Sequence, residues 1–187
     1  MKKRIYQFIF FRLMGWKIEG SIDKEVQKCI LMVVPHTSWH DFYLGIFTRG
    51  ITRLEMNFIG KKELFRFPFD SYFRWMGGEP LDRSGNLNTV EAIAKIFEKK
   101  TEFRLAISPE GTRKKVMELK SGFYYIALKA GVPIIPVAFN FGKKAVQIGQ
   151  PLSPSGNYEE DLVVLLAHFE GVNGKIREYS FSPEKQK

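Results

Sequence analysis

Two residues, His36 and Asp41, have the types and spacing for chemistry: an imidazole followed by four residues and a carboxylate. An imidazole hydrogen-bonded to a carboxylate has a fixed tautomer, and its imidazolium form is stabilised. Such a pair can take a proton from a hydroxyl. Cys29 to Val34 is a β-branched and apolar run that stops at Pro35, and it reads as a buried strand. Thr37 or Ser38 can cap a following helix, Trp39 to Phe47. His36 then lies in the turn at the strand's end and Asp41 in the first helical turn. At a rise of about 1.5 Å per residue, the two side chains can meet. The nine residues alone leave three readings open. One is the base–carboxylate pair. Another is a histidine that merely ends a strand beside a helix-capping Asp. The third is metal binding through His36, His40 and Asp41. It lacks a His-Glu-x-x-His arrangement and any Cys or His cluster elsewhere, so no metal is expected.

The chain of 187 residues has room for one domain with a sizeable core. Its net charge of +9 implies an anionic partner. Nucleic acid is disfavoured, because the aromatics cluster in apolar segments (Phe8 to Phe11, Phe65 to Phe73) and do not alternate with basic residues. Cys29, the single cysteine, excludes an internal disulfide and reads as a small buried apolar residue. No stretch reaches the ~18 to 20 apolar residues of a membrane-spanning helix. Lys2, Lys3 and Arg4 before Ile5 to Phe11 superficially resemble a signal peptide, but Arg12 interrupts the run and no small-residue cleavage site follows. A cytoplasmic protein without a transmembrane anchor is the expectation. Residues 1–15 form an apolar face flanked by positive charge. Two readings stay open for them: a helix in a membrane interface, or an ordinary helix packed on the core.

Strands alternate with helices. Trp16 to Glu19, Cys29 to Val34, Met56 to Ile59 (ended by Gly60), Phe103 to Ile107, Val132 to Phe139 and Lys144 to Ile148 read as strands. Lys61 to Phe65 reads as a short helix, and Tyr72 to Met76 as a second apolar segment broken by Gly77-Gly78. Glu79 to Arg83 leads into a loop, Ser84 to Asn88. Val90, Ile93, Ala94 and Phe97 give a helix to Lys99 the spacing of one apolar face. Ser121 to Lys129 and Tyr158 to Phe169 are further helices, with Gly131 a C-terminal stop for the first. The tail 182–187 is polar. The pattern predicts an α/β fold, a single domain over 1–187 whose mostly parallel central sheet is flanked by helices. In such folds the site lies at the carboxyl ends of the strands. His36, Gly60-Lys61-Lys62 and Pro109 to Arg113 each follow a predicted strand, so they are expected to converge.

Four segments, in order, resemble the sequence blocks of the glycerolipid (1-acyl-sn-glycerol-3-phosphate and lysophospholipid) acyltransferase family. His36-Thr37-Ser38-Trp39-His40-Asp41 matches the first block, with Trp39 and His40 where Asn and Trp are often found. Gly60-Lys61-Lys62-Glu63-Leu64, with Leu81-Asp82-Arg83 beyond it, resembles the second. Pro109-Glu110-Gly111-Thr112-Arg113 matches the third, and Val132 to Val137 resembles the fourth. The resemblance implies a glycerolipid-acyltransferase-like fold with a short N-terminal amphipathic helix. It also implies that His36 is the general base that deprotonates the acceptor hydroxyl and that Asp41 orients it. An acyl thioester is already activated, so no protein nucleophile is needed, and Thr37, Ser38 and Cys29 are not assigned as acyl carriers. The acceptor's phosphate needs positive charge. Arg113 suits it through two parallel hydrogen bonds, and Lys62 and Arg83 follow by match to the blocks. Glu110, with Gly111 and Thr112, is expected to support the loop by accepting backbone hydrogen bonds, or to hold Arg113. Gly111 suits a turn with φ > 0. No cofactor is expected; an acyl-CoA or acyl carrier protein thioester is the co-substrate. The expected partners are an anionic membrane surface, a lysolipid acceptor and the acyl donor, with no nucleic acid. The expected location is peripheral, on the inner face of the cell membrane. Lysophosphatidic acid, glycerol 3-phosphate, and an acylated amino acid or other lysolipid stay open as acceptors. A non-catalytic basic membrane-binding protein is the alternative of a different class.

Overall fold

The computed structural model describes residues 2–81 and 88–181. Arg83, its loop and the tail 182–187 lie outside the described residues.

Five strands form the main sheet, in the order β1 (Lys17–Glu19), β7 (Ala145–Ile148), β6 (Ile134–Asn140), β2 (Lys28–Val34), β5 (Phe103–Ile107). All neighbours are parallel except β6 and β7, which form a hairpin. The central strand β2 pairs with β6 and β5 at once, so Ile30 lies between Ile134 and Leu105. Every residue of β6 is buried. Strands buried on both sides read as continuous apolar runs, which is what Cys29 to Val34 and Ile134 to Phe139 are.

The side-chain period of two divides these strands between two cores. Ile30, Met32, Val34, Ile134 and Ala138 join α4 (Thr89–Lys99), α5 (Gly122–Ala130) and α6 (Tyr158–Ala167) on one face. Cys29, Leu31, Ile135, Val137 and Phe139 face the other side, with α2 (His40–Thr52) and the N-terminal segment. Cys29 is fully buried, and burial pushes its thiol up to about 12, in keeping with an inert apolar role.

Several boundaries differ from those read in the sequence. Helix α2 runs past Phe47 because Leu44, Thr48 and Ile51 continue its buried stripe. It ends where Arg53 turns left-handed and its N–H bonds Arg49 O at 2.9 Å. Strand β3 (Phe58–Lys61) runs through Gly60, where a Cβ would stand 2.9 Å from the Phe65 ring. Lys62–Leu64 is a single 3₁₀ turn, and α3 is Asp70–Trp75. Gly78–Leu81 is a strand, β4, parallel to β3, where Gly77-Gly78 read as a break and Glu79 to Arg83 as the way into a loop. Pro80 hid it. A proline is tolerated here because β3 and β4 pair only with each other, leaving Pro80 on an edge. Asn57, just before β3, bridges Leu105 and joins this small sheet to the edge of β5.

The N-terminal segment packs on the core along one side and is exposed along the other. α1 (Lys2–Gln7) continues as a π-helical stretch, Phe8–Leu13. Phe10 is buried against Trp16 and Phe47, and Tyr6 meets Phe47 edge to face at 5.8 Å. Ile5, Phe8, Phe11 and Leu13 stay exposed. Among the described residues no helix is long and apolar enough to cross a membrane.

Candidate active site

Strand β2 carries His36 to the carboxyl end of the sheet, two residues past Val34, and α2 begins four residues later. His36 Nδ1 lies 3.1 Å from Asp41 Oδ2. Asp41 is buried, whereas the imidazole keeps a quarter of its surface open, at 25 %. The capping expectation is corrected. Trp39 occupies the cap position without a side-chain bond. The Thr37 hydroxyl is turned to the C-terminal segment and accepts Ile176 N–H at 3.2 Å. The Ser38 backbone N–H donates to Asp41 Oδ2 at 2.9 Å. The carboxylate thus organises the turn, and one oxygen serves both the turn and the imidazole. With Nδ1–H donating to Asp41, Nε2 holds the free lone pair.

The loop after β5 fixes the other end of His36. The His36 backbone N–H donates to Glu110 Oε2, and Ser108 Oγ donates to the same oxygen at 3.3 Å. Glu110 therefore braces the turn. Burial pushes its carboxyl up to about 7, against the lowering effect of the bond from His36. Gly111 has φ +63°, and its N–H bonds Ser108 O at 3.2 Å. A Cβ there would stand 2.7 Å from Lys120 Nζ. Thr112 Oγ1 accepts Lys114 N–H at 3.3 Å, closing the exposed end of the loop. Arg113 is exposed and has no ion-pair partner among the described residues.

His36, Asp41, Ser108 and Arg113 border one cavity of about 310 Å³. Apolar side chains make most of its remaining wall: Leu31 and Val33 from β2, Val137 and Phe139 from β6, Phe42 and Ile46 from α2. Lys62 is exposed in the 3₁₀ turn after β3 and is not among the residues that line this cavity. His40 turns to the opposite flank of α2, where its Nδ1 lies 2.8 Å from Ser38 Oγ. Sequence reasoning missed Ser108, Asn57 and Arg49, which also line the cavity. It missed the apolar wall too, although the alternation in β2 and β6 carried that signal.

The arrangement describes an enzyme of the α/β class, its polar groups gathered where strands end and its apolar cavity fit for a hydrocarbon chain. Comparison with known proteins narrows the class. The profile of the acyltransferase family matches residues 16–140, and the chain belongs to that family, among its glycerolipid acyltransferases. A 1-acyl-sn-glycerol-3-phosphate acyltransferase of Haemophilus influenzae is 28% identical over 177 residues, 85% of this chain and 73% of that protein. The Escherichia coli protein of the same name is 32% identical over 146 residues, 74% of this chain. The chain spans only 58% of that relative's length. The crystal structure of the 1-acyl-sn-glycerophosphate (LPA) acyltransferase PlsC from Thermotoga maritima superposes with a TM-score of 0.59. That match covers 89% of this chain and 76% of the other at 24% identity, and shows a shared fold.

Proposed function

We propose that this chain moves a fatty acyl group from an acyl thioester to the hydroxyl of a lysophosphatidic acid-type acceptor. The observation that carries this reading is the His36–Asp41 pair, 3.1 Å apart, at the edge of an apolar cavity that Arg113 also borders. The acceptor O–H gives its proton to His36 Nε2 as its oxygen attacks the thioester carbonyl. The tetrahedral intermediate collapses, the C–S bond breaks, and the leaving thiolate takes the proton from the imidazolium. Asp41 holds the tautomer and faces the imidazolium charge while it exists. Glu110 holds the His36 backbone, so the residue is held at its backbone as well as at ring Nδ1. Arg113 meets the acceptor's phosphate, with charge-assisted bonds worth about 1.5 to 3 kcal/mol each. Lys62 and Arg83 add positive charge. The cavity takes an acyl chain, and no cofactor is required.

Both substrates carry acyl chains, so the enzyme works as a peripheral protein on the inner face of the cell membrane. Exposed Phe8, Phe11 and Leu13 enter the interface, and Arg4 and Arg12 meet anionic headgroups. A second exposed apolar stretch, Leu64 to Trp75, lies beside Met76 at the cavity wall; in it Phe67 is 98% exposed. The test is acyl transfer by the pure protein to a panel of lysophosphatidic acid, glycerol 3-phosphate and acylated amino acids. Acylation of lysophosphatidic acid above the others is expected. Product from the amino-acid lysolipids alone would overturn the acceptor, and no product from any of them would overturn the reading.

A further inference from the structure

On the other flank of α2 lies an open groove of about 680 Å³ that the acyl-transfer chemistry above does not use. Helix α2 separates the two spaces. Phe42, Ile46 and Arg49 face the apolar cavity, and Trp39, Tyr43 and Phe47 face the groove. The stretch from His36 to Asp41 borders both: His36 and Asp41 line the cavity, and Trp39 and His40 line the groove. We propose that this groove binds the nucleotide of a nucleotide-borne acyl thioester, so that the donor straddles the start of α2 with its nucleotide on one flank and its acyl chain on the other. This inference rests on the acyl-transfer reading.

Two properties of the groove select a nucleotide. The first is planar surface. Trp39 is 55% exposed, lies stacked on His40 at 3.9 Å between ring centroids, and meets Tyr43 edge to face at 5.3 Å. An indole face left open in a groove is a stacking platform for a base, an interaction worth about 1 to 3 kcal/mol. The second is charge. Lys144 from the β6–β7 turn and Lys175 and Arg177 from the C-terminal segment line the groove, with no carboxylate among the described residues that do. Lys175 Nζ sits 5.7 Å over the Phe141 ring, and Lys144 Nζ reaches Met14 O at 3.5 Å, so the cations come from separate elements. Phosphate groups suit such a set.

The groove's position relative to the chemistry is fixed by two hydrogen bonds. Ile176 N–H donates to Thr37 Oγ1 at 3.2 Å, and Phe141 N–H donates to Asn173 O at 2.8 Å. The segment that carries Lys175 and Arg177 is thus bonded to the residue next to His36. The groove is concave and has a volume typical of small-molecule sites. A flat lipid surface suits protruding side chains, which the protein offers at Phe67 and Phe69 instead.

The experiment uses adenosine 3′,5′-bisphosphate as the probe, titrated by calorimetry against the wild type and the Lys175→Ala/Arg177→Ala and Trp39→Ala variants. Salt-sensitive binding to the wild type is expected, weakened about tenfold or more in each variant. In kinetics with the double variant, KM for a CoA thioester rises by a similar factor. With a nucleotide-free thioester, KM and kcat stay at wild-type values. Absence of probe binding overturns the proposal, as does equal binding by the variants. An equal rise in KM for both donors overturns it too, as does loss only of carrier-protein thioester use or of vesicle binding. The binding arm reads out without turnover. A wild type that binds the probe but acylates nothing therefore sinks the acyl-transfer reading alone.

Discussion

His36 is held through both its backbone and its ring, each by a different buried carboxylate. Asp41 Oδ1 and Glu110 Oε1 are buried without a partner among the described residues, so each carboxylate uses one oxygen for the turn. Glu110 carries a pH consequence. Its folded value of about 7 exceeds the ordinary 4.5. Between those values the folded chain holds a proton that the unfolded chain has lost. This group's contribution to stability therefore falls as pH rises through that window, then levels off. Glu110→Gln cannot ionise and keeps an acceptor for His36 N–H. Thermal unfolding from about pH 4.5 to about pH 8 should show the variant gaining on the wild type as pH rises. A constant difference would contradict the burial account. Arg113→Ala should raise the KM of a phosphorylated acceptor about tenfold or more, with donor KM little changed. Equal loss with phosphate-free acceptors would make Arg113 structural. At this scale part was legible: residue type and spacing singled out His36 and Asp41, and the resemblance to the acyltransferase blocks added Glu110 and Arg113. Ser108 and the Ser38 N–H were not, because their part depends on where the β5 loop and the His36 turn meet in space.

At the scale of elements, the helix ending at Lys99 was legible because its periodicity is strong. β4 was not, because Gly78 and Pro80 disguise a strand whose pairing is purely tertiary. Arg104, buried in β5, gave no signal either. Its guanidinium donates to Val26 O at 2.8 Å and to Glu55 O at 3.4 Å, tying β5 to the chain just before β2 and to the approach to β3. Gly77 shows how tightly that small sheet is joined to the cavity. Its φ is +94°, and a Cβ there would stand 2.3 Å from Met56 O. Met56 and Met76 both line the cavity. Gly77→Ala is expected to cost about 1 to 3 kcal/mol, through backbone strain and this clash, read as a lowered midpoint in urea unfolding. An unchanged midpoint would show that the α3–β4 turn relaxes freely.

For the whole molecule, the proposed binding to anionic lipid rests on a net charge of +9 and two exposed apolar surfaces, on the N-terminal segment and on Leu64 to Trp75. The sequence showed both stretches as apolar. It did not show that the first is half core, because Phe10 finds Trp16 and Phe47 only in the fold. Co-sedimentation with anionic vesicles should be strong at low salt and weaken as salt rises, since exposed charges are screened. Replacing Phe8 and Phe11 by Ser should weaken it further while leaving the Phe10 contacts with Trp16 and Phe47 in place. Binding indifferent to both salt and these substitutions would move the membrane contact to the Phe67 surface.

The central claim is that His36 is the base of an acyl transfer. The most direct measurement is the kcat of purified His36→Ala beside the wild type, with one acyl thioester and lysophosphatidic acid, on protein whose fold is checked by circular dichroism. A drop of about 10² to 10⁴-fold is expected for loss of a general base. A folded variant that keeps more than half of the wild-type kcat contradicts the account.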